Sequence, residues 1–558
     1  MKNLKCRGLL CLLLVFCLLA GCTPSPAPAQ PAEPAAPVAP PMPEVLTPSE
    51  NTAPPVPEDA EDFIFPAELP KAEEPVPSPA EPTPAPIEPT PAPTEPTPAP
   101  VEPTPAPVVP AKPAFTGDYL VGFGREDITP MDSVPLAGYG DTSKRINEEV
   151  TDDLLATAIA VTDKSGNSVI LYTLDIINAR DAVVKGIRTT VSERTGVPAE
   201  NIFITHTHTH SGPDLSNTAS GFITLYQEML IESAIEAGVQ AWEDRKSATM
   251  YTAKADANGL NFIRHYRHED GTYSGPGFGS STTPKIGHAG AADPELRLIR
   301  FQRQGGKDVL LMNWQAHATM NSYQVPNKGL SADFITGLRA YLEAELDCSF
   351  AYYQGAAGDH MPTSDIAAED PTRDVYEFGE MLGTVVKTAL QQQKKMAAGA
   401  IKVQHVPFTA RINHADDHLV EQATLVQKYI SDKGGNSGAT AYAQTLGLIS
   451  YHHANSIVRR AKMADTTTLN CAVLSIGDVG FAASPNELFG DMGIEMRRGS
   501  PYDMTFILGY CNYSNGYMPT RRAYAYSSYE VGCSNYAEGV AEEHAAFMAQ
   551  SLKNLKNG

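Results

Sequence analysis

From about residue 115 onward, the hydrophobic and polar positions of the chain follow two alternating patterns. Short apolar runs predict buried strands, and longer segments with apolar positions every three to four residues predict helices. The predicted strands are 168–175, 201–207, 295–301, 309–314, 350–354 and 469–476. The predicted helices are 179–195, 223–241, 333–345, 375–394 and 416–431. This order predicts an α/β fold in which a mixed β-sheet core is flanked by helices on both faces.

The first 22 residues have the pattern of an export signal. A basic start is followed by an apolar run from Leu9 to Leu19, too short to span a bilayer, and then by Leu-Ala-Gly-Cys ending at Cys22. This arrangement resembles a bacterial lipoprotein signal, in which Cys22 becomes the lipidated first residue. We therefore expect an extracytoplasmic protein that a lipid anchors to a bacterial membrane. Ordinary cleavage nearby, with release of the protein, is the alternative.

Residues 23–115 have the composition of a disordered linker. Of the 46 prolines, 32 lie between Thr23 and Pro113, and Glu-Pro-Thr-Pro-Ala-Pro occurs four times between Glu81 and Pro107. Proline lacks a backbone donor, and so few apolar residues cannot offset the entropy of folding, which predicts a polyproline II tether. A docking site for proline-binding modules is the alternative. The folded part is then 116–558.

Charge and cysteine content narrow the choice of partners. The formal net charge of -23 argues against a nucleic-acid partner, which would need a basic surface. The spacing of the four cysteines in the folded part matches no zinc ribbon, so we expect buried free thiols or one disulfide. These cysteines are Cys348, Cys471, Cys511 and Cys533.

The first candidate site follows the predicted strand 201–207. His206, His208 and His210 alternate with threonines, and the two-residue period of a strand would place the three imidazoles on one face. Such a group suits a metal ion such as zinc. Three solvated loop histidines are the alternative.

Three further segments contain candidate chemistry near predicted strand ends. His317 follows the strand 309–314, although a lone histidine there is more often a core residue. Glu487 follows a Pro-Asn turn, where an acid usually caps a helix. The segment from Gly509 to Glu530 is rich in tyrosine and would otherwise be a half-buried aromatic surface.

In this order, the motifs resemble the catalytic domain of the neutral/alkaline non-lysosomal ceramidases, which are zinc amidohydrolases. The resemblance runs from about Gly122 to near Ala537, and 116–558 would be a metallohydrolase domain without the family's C-terminal β-sandwich. The matching motifs are Gly-x-Gly-x-x-Asp-Ile-Thr from Gly122, Gly-Tyr at Gly138, His-Thr-His-Ser-Gly-Pro at His208–Pro213, Asn-x-x-Arg at Asn261 and Arg264, a Gly-Asp loop at Gly355–Pro362, Pro-x-Glu at Glu487 and a tyrosine segment at Asn512–Thr520.

The resemblance implies Zn²⁺ as the cofactor and a lipid amide as the substrate. The implied zinc ligands are His210, His317, Glu487 and Tyr517. Two imidazoles, one carboxylate and a weak phenol ligand would leave room for water or a carbonyl. His208 and Asn261 would then lie on the substrate side of the site.

The implied reaction is hydrolysis of an N-acyl amide, ceramide-like, by metal-activated water. Tyr529 and Arg264 would stabilise the oxyanion, and Asp359 or His360 would carry a proton to the leaving amine. The family has a serine where this chain has Met361, whose thioether cannot act as a nucleophile, so direct attack by activated water is favoured.

The motifs are also compatible with other activities. A different acyl amide or an ester is one alternative, and an inactive surface-tethered binding protein is another. A phosphoesterase is a third alternative. It would require carboxylates as ligands of a second metal ion, for which Asp175, Asp333 and Asp359 are candidates.

Overall fold

The structure, a computed structural model, describes residues 115–558 except 140–141, 218–219, 324–327 and 363–373. The expected signal, the linker and Cys22 lie outside the described residues. Among the helices that are described, none combines the length and the apolar character needed to cross a bilayer.

The strands of the described chain, in order, begin with a long strand that no pattern had predicted. They are β1 Tyr119–Asp127, β2 Glu149–Val150, β3 Leu155–Thr162, β4 Ser168–Leu174, β5 Ile202–His206, β6 Lys246–Asp256, β7 Asn261–Ile263, β8 Tyr266–His268, β9 Tyr273–Ser274, β10 Lys285–His288, β11 Glu295–Arg303, β12 Asp308–Trp314, β13 Gly329–Leu330, β14 Cys348–Gln354, β15 His360–Pro362, β16 Lys394–Lys395, β17 Ile401–Arg411, β18 Thr466–Ile476, β19 Val479–Ala483, β20 Glu487–Leu488, β21 Met504–Leu508 and β22 Tyr517–Met518.

The helices include every one that the apolar periodicity predicted. They are α1 Asp181–Thr195, α2 Gly221–Glu243, α3 Met320–Tyr323, α4 Phe334–Leu346, α5 Val375–Leu390, α6 Asp417–Lys433, α7 Ala439–Thr445, α8 Tyr451–Arg460, α9 Gly490–Gly499, α10 Arg521–Ala525, α11 Tyr529–Cys533 and α12 Val540–Asn557.

The main sheet is mixed, as predicted. Its strand order is β14-β12-β11-β6-β1-β3-β4-β5, with β16 paired to β6. The outermost pairs, β12–β14 and β4–β5, are parallel, whereas the strands between them are antiparallel. A smaller sheet has the order β17-β18-β19-β21.

Helices cover only one face of the main sheet, so the expectation of helices on both faces was wrong. On that face α1, α2, α4 and α5 pack in one apolar cluster. The other face packs on the smaller sheet, where Tyr119 and Phe301 share a cluster with Leu474 and Phe506. Helices α9 and α12 cover the far side of the smaller sheet. The smaller sheet takes the place of helices because it is apolar on both faces and can pack between two layers.

The glycines of β1 allow a helix to lie unusually close to the main sheet. A Cβ atom at Gly122 would overlap the carbonyl oxygen of Ala241, and one at Gly124 would overlap that of Ala237. Both carbonyls belong to α2. The Gly-x-Gly pattern is therefore explained by helix–sheet packing, with no need for a ligand.

A separate group of helices is inserted between β17 and β18. Helices α6, α7 and α8, residues 417–460, have a small apolar cluster of their own, which includes Ala423, Val426, Ala443 and Ile457. We call these residues the helical insertion.

Candidate metal centre and adjoining cavity

Two histidine-bearing loops run side by side at the ends of β5 and β12. Thr209 and Ala318 form a parallel bridge, and the His210 N–H donates to the Ala318 carbonyl at 3.0 Å. The Gln354 amide at the end of β14 donates to the carbonyls of Thr207 and Ala316, at 3.0 and 2.7 Å. These bonds hold the two loops in register.

The loops bring three histidines together, and Glu487 of β20 lies beside them. The candidate ligand atoms of His208, His210 and His317 all lie within 4.8 Å of one another. Glu487 Oε2 lies 3.3 Å from His208 Nε2 and 3.4 Å from His317 Nε2. All four side chains are buried. The structure thus gathers residues more than 270 positions apart into one polar group.

His206 is not part of this group, so the expectation that three alternating histidines share one face was wrong. Strand β5 ends at His206, whose Nε2 accepts from the Ala179 N–H at 3.2 Å. His208 has a φ of 60°, in the left-handed region that is uncommon for residues other than glycine. The two-residue period ends there because the backbone leaves the strand conformation.

A short parallel pair of strands places Tyr517 beside Glu487. The two residues are directly opposite each other in β20 and β22. The Tyr517 ring stacks with His317, with centroids 6.4 Å apart, and lies 6.1 Å from the Tyr529 ring. All four expected metal ligands therefore adjoin one another, together with His208.

Backbone carbonyls determine which ring nitrogen of two histidines carries hydrogen. Nδ1 of His208 lies 2.9 Å from the Ile177 carbonyl, and Nδ1 of His317 lies 2.6 Å from the Ala357 carbonyl. A carbonyl only accepts, so each Nδ1 donates and each Nε2 keeps a lone pair. Both lone pairs are then available on the Glu487 side of the ring, as metal-binding histidines require.

Burial and neighbouring charges shift the pKa values within the group. Burial alone would raise the pKa of Glu487, but His208 and His317 outweigh it and hold the pKa well below the usual range. Burial, followed by the charge of Arg264, lowers the pKa of His317 to about 4. Burial and the neighbouring imidazoles also lower the pKa of His210. The lowered pKa values of His210 and His317 favour neutral imidazoles, and that of Glu487 favours the carboxylate, which are the ligand forms that bind metal ions.

Several buried polar atoms of the group have no hydrogen-bond partner among the described residues. They are both ring nitrogens of His210, Nε2 of His317 and Oε2 of Glu487. Buried polar atoms are almost always paired, so such a concentration calls for an additional partner. Nitrogen and carboxylate donors at this spacing fit a divalent ion of the zinc type.

Arg264 is held beside this group by a buried network that the sequence did not indicate. Its guanidinium pairs with Glu530 Oε1 at 2.6 Å and donates to the Gly358 carbonyl at 2.9 Å. His265 Nε2 lies 2.8 Å from the other Glu530 oxygen. Arg264 also lies over the Tyr517 ring at 5.4 Å. The arginine is thus directed at the tyrosine by a paired counter-charge. In the sequence, the one hint of this network is that His265 directly follows Arg264.

Three predicted site residues are engaged elsewhere. The Asn261 amide donates to the carbonyls of Asp293 and Gln315, at 2.8 and 2.9 Å. His360 Nδ1 lies 2.8 Å from the Asp359 carboxylate, and its Nε2 accepts from the Asp293 N–H at 2.8 Å. Both ring nitrogens of His360 are therefore used inside the protein. None of these side chains lines the cavity described next.

The carboxylates considered for a second metal ion are also engaged. Asp175 pairs with Arg339 at 2.8 Å, and Asp333 caps α4 by accepting from the Phe334 N–H. Within the described ranges, the single group of histidine, cysteine or acid ligands that could hold a metal ion is the three-histidine group.

A cavity of about 640 Å³ opens onto the histidine group. The proposed site residues among its lining are His210, Arg264, Tyr517 and Tyr529, and Met361 also lines it. Met361 packs on Phe262 and Tyr266, so its thioether is an apolar wall element. The remaining lining residues are Ala137, Gly138, Tyr139, Thr142, Ile177, Asn178, Asp214, Ser216, Pro276, Gly277, Thr440, Ser450, Tyr451 and His452.

Comparisons with known proteins agree with this arrangement. Residues 119–362 match the model of the family described as neutral/alkaline non-lysosomal ceramidase, N-terminal. The crystal structure of neutral ceramidase from Pseudomonas aeruginosa is similar with a TM-score of 0.58 and 17% identity, over 79% of this chain and 75% of that one. A ceramidase complexed with C2 has a TM-score of 0.56 and 16% identity, over 78% and 74%. No curated protein matches the sequence.

The structural similarity at this low identity shows that the chain has the ceramidase fold. Fold and family together support an amide hydrolase. The match of residues 119–362 to the family model confirms the family resemblance that the motifs had indicated.

Proposed function

We propose that this protein is a zinc-dependent amidohydrolase that cleaves an N-acyl amide bond in a lipid-like substrate. The observation that carries the proposal is the convergence of the His208 and His317 Nε2 atoms on one Glu487 oxygen. Both rings have the tautomer that leaves Nε2 open, and the group adjoins a cavity large enough for a small-molecule substrate.

We propose His208, His317, Glu487 and Tyr517 as the ligands of the ion. The family motif had suggested His210 as the ligand and His208 as its neighbour. His208 is favoured because a carbonyl holds its Nδ1 and its Nε2 lies beside Glu487. His210 lines the cavity, and its ring lies 4.9 Å from that of Tyr139, which suits a contact with substrate.

A bound zinc ion would activate a water molecule as the nucleophile and polarise the substrate carbonyl. The protein contributes the rest. Tyr529 and Arg264 line the cavity as donors for the oxyanion. Burial raises the pKa of Tyr529, so its hydroxyl keeps its proton and can donate. Asp359 and His360 are less suited to the leaving amine because both ring nitrogens of His360 and Oδ1 of Asp359 are already hydrogen-bonded, and neither side chain lines the cavity.

We further propose that the nucleophile is water rather than a side chain. Met361 occupies the position of the family serine, lines the cavity and has no proton to transfer. Ceramide is one candidate substrate, and another N-acyl amide or an ester would fit the same chemistry.

The location is also a proposal. The basic start, the apolar run and Cys22 favour a lipid anchor outside the cytoplasm, with the Pro-rich segment as a tether to the membrane.

The decisive experiment is elemental analysis together with turnover of a fluorogenic N-acyl amide panel that includes ceramide. We expect about one zinc ion per chain, and a loss of both zinc and turnover by more than ~100-fold in His208→Ala and His317→Ala. His210→Ala should keep zinc and lose turnover. The control is His405→Ala, since His405 contacts the Glu200 carbonyl away from the site.

Two outcomes would contradict these proposals. Unchanged zinc and turnover in His208→Ala and His317→Ala would exclude the site altogether. Loss of zinc in His210→Ala, with retention in His208→Ala, would restore the ligand set that the motif alone implied.

A further inference from the structure

The helical insertion forms one wall of the cavity. Thr440, Ser450, Tyr451 and His452 line the cavity and belong to a different part of the chain from the two loops that carry the candidate histidines. The insertion has an apolar cluster of its own, which supports these side chains independently of the sheets. The helical insertion and His210 therefore line the same cavity, so a substrate that fills this cavity contacts α8.

Helix α8 is bound firmly to the segment that carries Tyr529. Ser456 donates to the Cys533 carbonyl at 3.3 Å, and the buried Arg460 donates to the Ser534 carbonyl. The His452 ring meets the Tyr529 ring at 87°, with centroids 5.8 Å apart. His452 therefore has a defined place next to a proposed catalytic residue.

The His452 side chain is half-buried, yet its ring nitrogens make no hydrogen bond to any described residue. The ring lies against that of Tyr451, with centroids 3.9 Å apart and the planes tilted by 33°, while the Tyr451 hydroxyl accepts from Asn436. Burial lowers the pKa of His452, so the ring is neutral at pH 7. A neutral imidazole offers one donor and one acceptor, which matches a hydroxyl group.

The charges of the cavity favour a neutral partner for this ring. The charge of Arg264 is already paired with Glu530 at 2.6 Å, and the Asp214 carboxylate also lines the cavity. An anionic group in the cavity would find no unpaired basic side chain among the described lining residues, because Arg264 is the one arginine or lysine among them and is paired with Glu530. A hydroxyl avoids this cost.

We propose that His452 is a specificity-determining residue that binds a hydroxyl group of the substrate outside the scissile amide. The helical insertion would thereby select hydroxyl-bearing N-acyl amides over amides of the same size without the hydroxyl. This inference rests on the proposed amidohydrolase function for the identity of the substrate. Whether His452 recognises the hydroxyl group is tested separately by binding.

The test compares matched pairs of N-acyl amides that differ only in one hydroxyl replaced by methyl, placed in the amine half or in the acyl half. Wild-type holoenzyme should prefer the hydroxyl-bearing member of one pair in kcat/KM. His452→Phe, which retains an aromatic ring, should reduce that preference by about 3- to 10-fold, as expected for one hydrogen bond, with unchanged zinc content.

The matched control is His418→Phe, an exposed histidine in the same insertion, which should keep the wild-type preference. Equal loss on both members of every pair would mean that His452 acts only as packing, and an unchanged preference would mean that it does not touch the hydroxyl. Either result overturns the inference.

Binding separates this inference from the proposed function. The same pairs are titrated by calorimetry into wild type and His452→Phe. If wild type binds the hydroxyl-bearing amide more tightly and the variant does not, the inference stands even where no amide is turned over. If neither protein distinguishes the two members of any pair, the inference fails even where turnover is found.

Discussion

At the scale of single residues, the environment of a side chain decides its chemistry more than its position in a motif. His208 and His210 lie in the same His-Thr-His pattern, but only His208 has its Nδ1 bound to a backbone carbonyl. His360 belongs to the Gly-Asp loop, yet both of its nitrogens are engaged inside the protein. The sequence located these residues, and the hydrogen bonds distinguish their roles.

Glu530 is the residue on which the buried arginine depends. Glu530→Ala would leave the charge of Arg264 buried without its carboxylate, so we expect a loss of about 3–5 kcal/mol in the free energy of unfolding. The control, Glu543→Ala, breaks a half-exposed pair with Arg411 and should lose less than about 1 kcal/mol. Urea denaturation measures both, and equal losses would contradict the prediction.

His544 should make the stability of the protein depend on pH. Burial between α12 and the smaller sheet lowers its pKa from 6.5 to about 3. The unfolded chain therefore binds a proton more readily. The contribution of the buried, neutral His544 to the free energy of unfolding is therefore fully present above pH 6.5. It is lost as the pH falls toward 3, by about 1.4 kcal/mol per pH unit.

Denaturation at several pH values between 6.5 and 4 measures this contribution. His544→Gln should flatten the pH dependence relative to wild type, and the exposed His418→Gln should leave it unchanged. If the free energy of unfolding of His544→Gln depended on pH as steeply as that of wild type, His544 would not be the source of the pH dependence.

At the scale of elements, the close contact of α4 and α5 depends on two glycines. A Cβ atom at Gly379 would overlap the backbone of Gly337, so we expect Gly379→Ala to lower the free energy of unfolding by about 1–3 kcal/mol. Gly186→Ala in α1 is the control. A Cβ atom there would be 3.5 Å from Ile231, and alanine should be neutral or stabilise by up to about 1 kcal/mol.

Thermal or urea denaturation distinguishes the two alanine variants. Similar stability of Gly379→Ala and Gly186→Ala would show that the two helices can separate without cost, against the packing that the structure shows.

The predicted strands and helices all occur, because each is long enough to show a clear apolar period. Among the strands of eight residues or more, β1, β3, β6 and β17 were not predicted. Strand β1 contains two glycines and ends in charged residues, and β17 has polar or exposed residues at alternate positions. Their place in a sheet is determined by partners far away in sequence, such as the eleven-residue pairing of β17 with β18.

At the scale of the whole molecule, we propose that Cys22 determines where the folded part is located. In a bacterial host, wild-type protein should fractionate with membranes and enter the detergent phase, and Cys22→Ser should not, because it cannot be acylated. Cys17→Ser lies within the leader and is the control, which should behave as wild type. Membrane association of Cys22→Ser equal to that of wild type would argue against a lipid anchor.

Local patterns in the chain were sufficient for the α/β class, for the order of the main elements and for the family, because apolar periods and short motifs are local properties. They also named His317, Glu487 and Tyr517. They could not show that a second sheet, rather than helices, covers one face of the main sheet. Nor could they show that His206 turns away, that His208 directs Nε2 at Glu487, or that His452 from an insertion lines the cavity. Those facts depend on contacts between segments tens to hundreds of residues apart, and such contacts exist only once the chain has folded.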